Sequence, residues 1–293
     1  METKRLQVVL VLGLGLTLIA ILSLSSAPAV YAVQFDNKPV SDNTMPTLRP
    51  SLPTVSLDLA NNRSARRPVA EANLGSLAQV TKTITLTPNK DSFLIENLPN
   101  NNAGAHTHMS AGANGQGAMR RGVIAFDIAG NIPAGSTIVS VTLRLDVVGV
   151  PSVGGGVNSS FELHRLTADW GEGGQTGNTG DTANHGDVTW NSAFHNVSPW
   201  STPGGDFVLT ASASTPVTGV GSYTWGPTPG MAADVQTWLD TANFGWLLKS
   251  DDEVTNRTAR RFGSKEGVTG AKLIVEYTTI VERTYLPLIL GDN

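Results

Sequence analysis

The stretch VSVTLRLDV, Val139–Val147, decides the fold class of this chain. Apolar side chains occupy its odd-numbered positions, and Ser, Thr, Arg and Asp occupy the even-numbered positions between them. Alternation with a period of two is typical of a β-strand, because successive side chains of a strand point to opposite faces. The stretch therefore predicts a strand with one buried face and one face toward water.

Similar short patterns recur along the chain and are separated by glycine-rich connections, such as 149–156 and 171–180. Further strands are predicted at 82–87, 92–96, 122–128, 161–166, 187–191, 206–209, 223–225, 245–249, 260–264 and 272–278. Many short strands with Gly-rich turns predict an all-β fold, here a jelly-roll-like antiparallel β-sandwich.

One short helix is predicted after residue 228. Thr228 can cap it and Pro229 suits its first turn. Met231, Val235 and Trp238 then follow at i, i+4 and i+7, which gives the helix one apolar face that should pack on the sandwich.

Composition excludes several classes of function. Charged residues make up 15% of the chain and the formal net charge is −4, which argues against a nucleic-acid partner because such binding needs a basic face. The chain has no cysteine, so disulfides, CxxC redox chemistry and thiolate metal sites are excluded.

The first residues have the parts of a secretory signal. Lys4 and Arg5 precede an apolar run from Leu6 to Leu24, and small residues follow. A cleavage site after Ala32 would make residues 1–32 a signal peptide, and the mature protein would be secreted or exposed at the cell surface, without a membrane span. The alternative is an uncleaved anchor, because a run of this length can span a bilayer.

Residues 33–80 are rich in proline and polar residues and are predicted to be a flexible, disordered linker. Residues 81–279 should form a single sandwich domain. Residues 280–293 form a C-terminal tail with the apolar stretch YLPLIL at 285–290, which would act as a docking tag or as an additional edge strand.

The motifs of common catalytic sites are missing: the sequence contains no GxSxG, HExxH, Walker or dinucleotide-binding motif, and no catalytic residue is expected. Two acidic loops remain open to interpretation. Asp169 and Glu172 in one loop, and Asp251 and Asp252 in the other, are candidate ligands of a structural calcium ion, the only cofactor considered. Turn capping explains the same residues, and Asp169 with Glu172 could instead be the acid and base of a glycosidase.

The histidines His106 and His108 lie two residues apart, a spacing that puts both on one face of a strand. They fit either a metal-binding pair or a polar rim, and no third ligand is evident.

Several ordered segments together resemble a known family. They are DSFLI (91–95), RGVIAFD (121–127) with IPAGS (132–136) and VTLRL (141–145), LHRLT (163–167), WGE (170–172) with VTWN (188–191), VQTWL (235–239), NFGWLLKS (243–250), RFGSKE (261–266) and LIVEY (273–277). This set resembles the DNRLRE-type β-sandwich domain, which is related to family-96 carbohydrate-binding modules and to disaggregatase-related repeats.

The resemblance implies a jelly-roll-like domain of secreted or surface proteins, often attached to polysaccharide-active enzymes. Some related modules bind acidic polysaccharides such as alginate. This chain departs from the pattern in having one such domain without a recognisable catalytic partner. Its loop at 171–186 is also longer and richer in glycine.

A sugar ligand would need exposed aromatic rings on which to stack and polar groups for its hydroxyls. Trp200 and Trp225 lie among Pro, Gly and Ser and are the exposed candidates, whereas the other four tryptophans have apolar neighbours and should lie in the core. Acidic sugars would also need arginine, whose guanidinium fork matches a carboxylate. The candidate arginines are Arg121, Arg165, Arg260 and Arg261. The alternative is that they are solvated strand surface or pair structurally with Asp127 or Glu266.

The sequence therefore predicts a secreted, non-catalytic module that binds a polysaccharide, in particular an anionic one, or a cell-surface component. One alternative is a structural or adhesive surface protein without a glycan site. Another is a polysaccharide-degrading enzyme that uses Asp169 and Glu172.

Overall fold

A computed structural model of the protein describes residues 7–12, 18–23 and 77–282. The chain divides into two units, Met1–Val69 and Ala70–Asn293. In the first unit, strands β1 (Gln7–Leu12) and β2 (Leu18–Ser23) pair antiparallel within the apolar run of the predicted signal peptide. Its predicted cleavage site, most of the predicted linker and the YLPLIL tail lie outside the described residues. No helix among the described residues is long and apolar enough to cross a membrane.

The second unit contains fifteen strands and one helix within the described residues. They are β3 (Leu77–Leu86), β4 (Lys90–Ile95), β5 (Asn101–Asn102), β6 (His108–Ala113), β7 (Met119–Ala125), β8 (Thr137–Gly149), β9 (Ser159–Arg165), β10 (Asp181–Thr182), β11 (Ser192–Phe194), β12 (Ser198–Pro199), β13 (Ala213–Val217), β14 (Gly221–Trp225), α1 (Pro229–Asp240), β15 (Trp246–Ser250), β16 (Arg260–Gly263) and β17 (Lys272–Glu282).

Eleven of these strands form one curled antiparallel sheet with the order β13-β9-β15-β7-β6-β16-β8-β17-β3, to which β14 adds beside β8 and β4 beside β7. Strand β6 joins the two halves, because its residues 108–111 pair with β16 and its residues 112–113 pair with β7. Apolar residues of both halves share one buried cluster. The predicted all-β, sandwich-like fold is therefore confirmed.

A second apolar cluster lies on the other side of β7 and β15. It contains Val123 and Leu247 from these strands together with Trp170, Trp190 and Trp200 from the long loops between β9 and β13. Since successive residues of a strand point to opposite faces, β7 contributes Ile124 to the main core and Val123 to this second cluster. The second apolar cluster therefore holds the loops between β9 and β13 against the sheet.

Helix α1 begins as predicted. The hydroxyl of Thr228 accepts a hydrogen bond from the backbone N–H of Met231 at 3.1 Å, which satisfies one of the free donors of the first turn. Met231, Val235 and Trp238 are buried in the main core, so the predicted apolar face packs on the sandwich.

The predicted alternation in Val139–Val147 fails at its first residue. Val139 is 50% exposed, while Ile138 beside it is buried. The pairing with β17 shifts here, because Ile138 lies opposite Tyr277 and Ser140 lies opposite Glu276. This irregularity is a β-bulge, which moves the alternation by one position.

Some strand boundaries were wrong. Residues 187–191 form a buried loop rather than a strand, and residues 206–209 contribute only one isolated bridge, between Leu166 and Phe207. Strands β6 and β13 and the short strands β5, β10, β11 and β12 were not predicted. In β6, His, Ser and Gly hide the alternation. Strand β3 begins at Leu77, upstream of the predicted domain start.

Candidate functional site

A cleft of about 320 Å³ lies where β6 passes from one half of the sheet to the other. We call it the basic cleft. Its charged lining residues are Arg120, Arg260 and Arg261, and none of its lining residues is Asp or Glu. Three arginines therefore border a cleft that no carboxylate lines, on a chain of net negative charge.

Arg260 lies opposite Ala111 in the strand register, so its side chain leaves β16 on the face opposite to that of Arg261. It is 1% exposed, and its side chain donates to the carbonyl oxygens of Thr218 at 3.0 Å and Val157 at 2.9 Å. Its further acceptors are the carbonyls of Thr258 and Ala259 and the side chain of Asn158. All five N–H groups of the guanidinium are thereby used, and burial lowers its pKa because no carboxylate offsets the desolvation of the charge.

Arg120 is also recessed, with 8% of its surface exposed. It donates to Asn97 Oδ1 at 2.8 Å and to the Met119 carbonyl at 2.9 Å, so three of its five N–H groups remain for a ligand. Burial lowers the pKa of Arg120, and the charge of Glu96 partly opposes this shift. Glu96 does not line the cleft.

Arg261 lies at the exposed rim. It faces Ser110 of β6 and Gly149 of β8 in the strand register, and residues directly opposite each other share a face. A Cβ atom at Gly149 would approach the Arg261 side chain at 3.1 Å, so glycine leaves room for it to cross the strand. No ion pair joins Arg261 to another residue of the 77–282 segment.

His106 and His108 lie close enough to Arg261 for its charge to act on both rings. Their ring centroids lie 4.0 Å apart, and His108 stacks on Phe93, which lines the cleft. Burial lowers the pKa of both, and Arg261 lowers it further; the pKa of His108 falls to about 4. Nε2 of His108 is buried without a hydrogen-bond partner in the described structure, and the metal role of this pair stays a prediction.

One wall of the cleft is Asn178 and Thr179, from the long loop at 171–186. Two asparagines fix this loop. Asn101 donates to the carbonyl of Gly180 at 3.1 Å, while the buried amide of Asn102 donates to the carbonyls of Glu172 and Val188, both at 2.8 Å. The pairing of β5 with β10 adds backbone support, so the wall is a defined part of the fold.

The two tryptophans predicted to be exposed are buried, and this expectation was wrong. Trp225 is 0% exposed and donates from Nε1 to the Phe161 carbonyl at 2.6 Å, and Trp200 is 4% exposed and donates to the Thr189 carbonyl. The Pro, Gly and Ser neighbours suggested exposure, but both rings belong to buried apolar clusters. Neither indole face is free to stack a sugar in this structure.

The other four tryptophans are buried, as predicted. They are Trp170, Trp190, Trp238 and Trp246.

Two predicted arginines pair with acids away from the basic cleft. Arg121 donates to both carboxylate oxygens of Glu253 at 2.8 and 2.9 Å and lies over the rings of Trp190 and Phe207. It borders a separate cavity of about 590 Å³, where the pairing with Glu253 cancels its charge. Arg165 pairs with Asp234 at 3.1 Å.

Each of the four acidic candidates already has a hydrogen-bond or ion-pair partner of its own. Asp169 pairs with Lys90 at 2.6 Å, and Glu172 pairs with Lys265 at 3.1 Å. Asp251 accepts hydrogen bonds from Ser159 and Ser160. Asp252 accepts backbone hydrogen bonds from the loop that follows it, and bonds from Thr255 lower its pKa.

Asp252 caps its own turn, whereas Asp169, Glu172 and Asp251 pair with residues distant in the sequence. Glu172 also accepts the backbone N–H of Asp91 at 2.8 Å, and burial raises its pKa above the usual range of a glutamate. Within residues 77–282 no group of three or more His, Asp or Glu side chains is arranged to hold a metal ion. Calcium binding at these loops stays a prediction.

The sequence therefore pointed to two of the three cleft arginines, Arg260 and Arg261, and missed Arg120 next to Arg121. No local signal distinguishes Arg120 from Arg121, because adjacent strand residues point to opposite faces and the sequence does not show which face borders the cleft. The contribution of Asn178 and Thr179 depends on tertiary structure and has no local signal.

Comparison of the chain with protein-family models and with curated proteins finds no match in either.

Proposed function

We propose that this protein is a non-catalytic module that binds an anionic polysaccharide in the basic cleft. The observation that carries the proposal is the meeting of three arginines in one cavity that no Asp or Glu lines. Two of them, Arg120 and Arg260, are at least nine-tenths buried and lack a carboxylate within ion-pair distance in the described structure.

Arg120 and Arg260 carry charges that no carboxylate within ion-pair distance offsets in the described structure. A buried guanidinium without a carboxylate loses solvation that neutral carbonyls replace only in part. An anionic group in the cleft would supply the missing charge and accept hydrogen bonds from the free N–H groups of Arg120 and Arg261. Such charge-assisted bonds are the strong ones, and the guanidinium fork matches the geometry of carboxylate and sulfate.

The remaining lining fits a sugar. Ser110, Asn114, Asn178 and Thr179 offer hydroxyl and amide groups, which can exchange hydrogen bonds with ring hydroxyls. Pro151 and its neighbour Val150 add an apolar edge. The resemblance to acidic-polysaccharide-binding modules and the predicted secretion signal support the same substrate class, with ion pairing taking the place of aromatic stacking.

The direct test is calorimetric titration of the full chain with a polyuronate, a sulfated galactan and a neutral glucan, comparing Arg261→Gln with Arg144→Gln. Both variants remove one exposed strand arginine, but Arg144 lies outside the cleft and pairs with Asp146. Loss of a hydrogen bond to a charged group is worth about 1.5–3 kcal/mol, so Arg261→Gln should weaken binding of an anionic glycan about tenfold to a hundredfold. Arg144→Gln should bind as the unchanged chain does.

Saturable binding of one anionic glycan, weakened by Arg261→Gln alone, supports the proposal. Equal loss in both variants would mean nonspecific attraction to surface charge, and binding of the neutral glucan alone would contradict the role of the arginines. A folded chain that binds none of the three polymers overturns the proposal.

A second candidate, a structural surface protein, is favoured by the exposed side of β3. Thr81, Thr83 and Thr85 are exposed in a row on this strand, which pairs only with β17 among the described strands. An unprotected edge strand can pair with another chain. Light scattering that shows concentration-dependent association, abolished by Thr83→Lys, would support this role, whereas a monomer at all concentrations would exclude assembly through β3.

A further inference from the structure

The depth of the basic cleft constrains which part of a glycan can reach its arginines. Arg120 is 8% exposed and Arg260 is 1% exposed, whereas Arg261 lies exposed at the rim. An anionic group on a chain lying across the surface would meet Arg261 alone. Contact with Arg120 requires the anionic group to enter the cavity.

The volume gives a second constraint. The cleft encloses about 320 Å³, which is the small end of the range of about 300–1,000 Å³ typical of ligand pockets. A cavity of this size takes a short piece of a sugar chain. A sugar from the interior of a glycan chain could enter the cleft only if both of its neighbouring sugars also passed the rim.

The walls give the third constraint. The turn at Asn114, the segment at Pro151 and the loop at Thr179 all border the cleft. The carbonyls of Asn114 and Thr179 are themselves tied down, by the backbone N–H of Arg257 at 3.0 Å and by the amide of Asn101 at 3.5 Å. Fixed walls formed by separate loops favour a ligand that enters from one side over one that passes through.

From depth, volume and walls together we infer that the basic cleft binds the terminal residue of an anionic glycan chain, not the chain interior. The terminal sugar inserts its carboxylate or sulfate toward Arg120 and Arg261. The free hydroxyl that only a chain end carries meets the polar wall at Asn114 or Asn178. This inference rests on the proposed function, because it names the part of the polysaccharide that the same cleft recognises.

The experiment is calorimetry of the full chain with a disaccharide, tetrasaccharide and hexasaccharide of a polyuronate. Each oligomer is prepared with both ends free, with the reducing end converted to an open-chain alditol, and with the non-reducing end capped by a methyl ether. A matching series of sulfated galactan oligomers tells carboxylate from sulfate.

A chain-end site predicts one protein bound per oligomer at every length and affinities that agree within about threefold. It also predicts that capping one of the two ends, and not the other, weakens binding at least about tenfold, equivalent to about 1.4 kcal/mol. Arg261→Gln should weaken every member of the binding series, whereas Arg144→Gln should weaken none.

Affinity and the number of bound proteins that both rise with oligomer length, unaffected by capping, would overturn chain-end recognition and leave the anionic-polysaccharide function standing. Failure of every oligomer in both series, with the fold intact by circular dichroism, would overturn both. Binding of one series alone, lost on capping one end, supports the inference and identifies the anionic group.

Discussion

Asp91 begins the buried part of β4 and is 1% exposed. Its carboxylate accepts the backbone N–H of Lys265 at 2.7 Å. Burial raises the pKa of Asp91 to about 7; the bond from Lys265 opposes the rise, and the charges of Glu266 and Glu172 add to it. This side chain connects the start of β4 to the turn after β16, and it is protonated more readily in the folded chain than in the unfolded one.

Asp91→Asn should therefore remove a pH dependence of stability. A carboxyl whose pKa is higher in the folded state binds more protons there, so its contribution is complete below about pH 4 and is lost as the pH rises through about 7. The free energy of unfolding of the unchanged chain, minus that of Asp91→Asn, should fall with a limiting slope of about 1.4 kcal/mol per pH unit in this window. Urea denaturation at a series of pH values measures it.

The difference between the two chains is the quantity to plot, because His108 titrates in the opposite sense. Its pKa is lowered to about 4 by burial, so its contribution is lost as the pH falls from about 6.5 toward 4. Asp240→Asn, which removes an exposed carboxylate at the end of α1, is the matched control for the loss of one carboxylate. A flat difference for Asp91→Asn would contradict the buried acid.

Trp225 is a second residue whose role follows from burial. Its ring contacts Phe262 edge-on with centroids 6.1 Å apart in the main core. Trp225→Ala should lower the free energy of unfolding by about 3–5 kcal/mol, because it removes a large buried side chain and leaves a cavity. The exposed Leu209 provides a control: Leu209→Ala should change stability by less than about 0.5 kcal/mol. Unchanged stability with lost glycan binding would instead restore Trp225 as a sugar platform.

The sequence predicted correctly those features of helices and strands that depend on residues close together in the chain. Thr228 caps α1 because a short hydroxyl side chain can reach the N–H of Met231 within one turn. The bulge at Val139 could not be predicted, since it depends on how β17 pairs with β8. The loop at 187–191 looked like a strand because Val188 and Trp190 are apolar, but they fill the second core from a loop.

The loop wall of the cleft depends on Asn102. This side chain is 0% exposed; besides its two donated bonds, its Oδ1 accepts the backbone N–H of Gly104 at 3.0 Å and that of Gln175 at 3.4 Å. Asn102→Ala would leave these buried groups without partners, which should lower the free energy of unfolding by at least about 2 kcal/mol. Proteolysis in the native state should then cut the loop near Gly177 first.

Asn184→Ala is the matched control for this loop, because Asn184 is exposed and its side chain donates no hydrogen bond in the described structure. The control should resist protease as the unchanged chain does. Equal cleavage rates in all three proteins would mean that the wall does not depend on Asn102. Weaker glycan binding by Asn102→Ala alone would link the wall to the cleft.

At the scale of the whole molecule, the cleft is assembled from distant parts of the chain. Arg120 comes from β7 and Arg260 from β16, and β6 lies between these strands in the sheet. Composition gives a net charge of −4 and conceals this local excess of positive charge. The fold class could be predicted from strand periodicity, whereas the cleft depends on the pairing order of strands that no local pattern specifies.

Because arginines border the cleft although the chain is negative overall, salt should affect binding through the charges at the cleft. Screening lengths shrink from about 10 Å at about 0.1 M salt to about 3 Å at about 1 M, and exposed charges are screened more than recessed ones. The penalty of Arg261→Gln, measured as the ratio of the two Kd values for an anionic oligosaccharide, should therefore fall toward one as salt rises. The unchanged chain should still bind at about 1 M salt, because Arg120 and Arg260 lie beneath the rim. If binding by the unchanged chain disappears at about 1 M salt, exposed surface charge holds the ligand, and the recessed arginines have only a structural role.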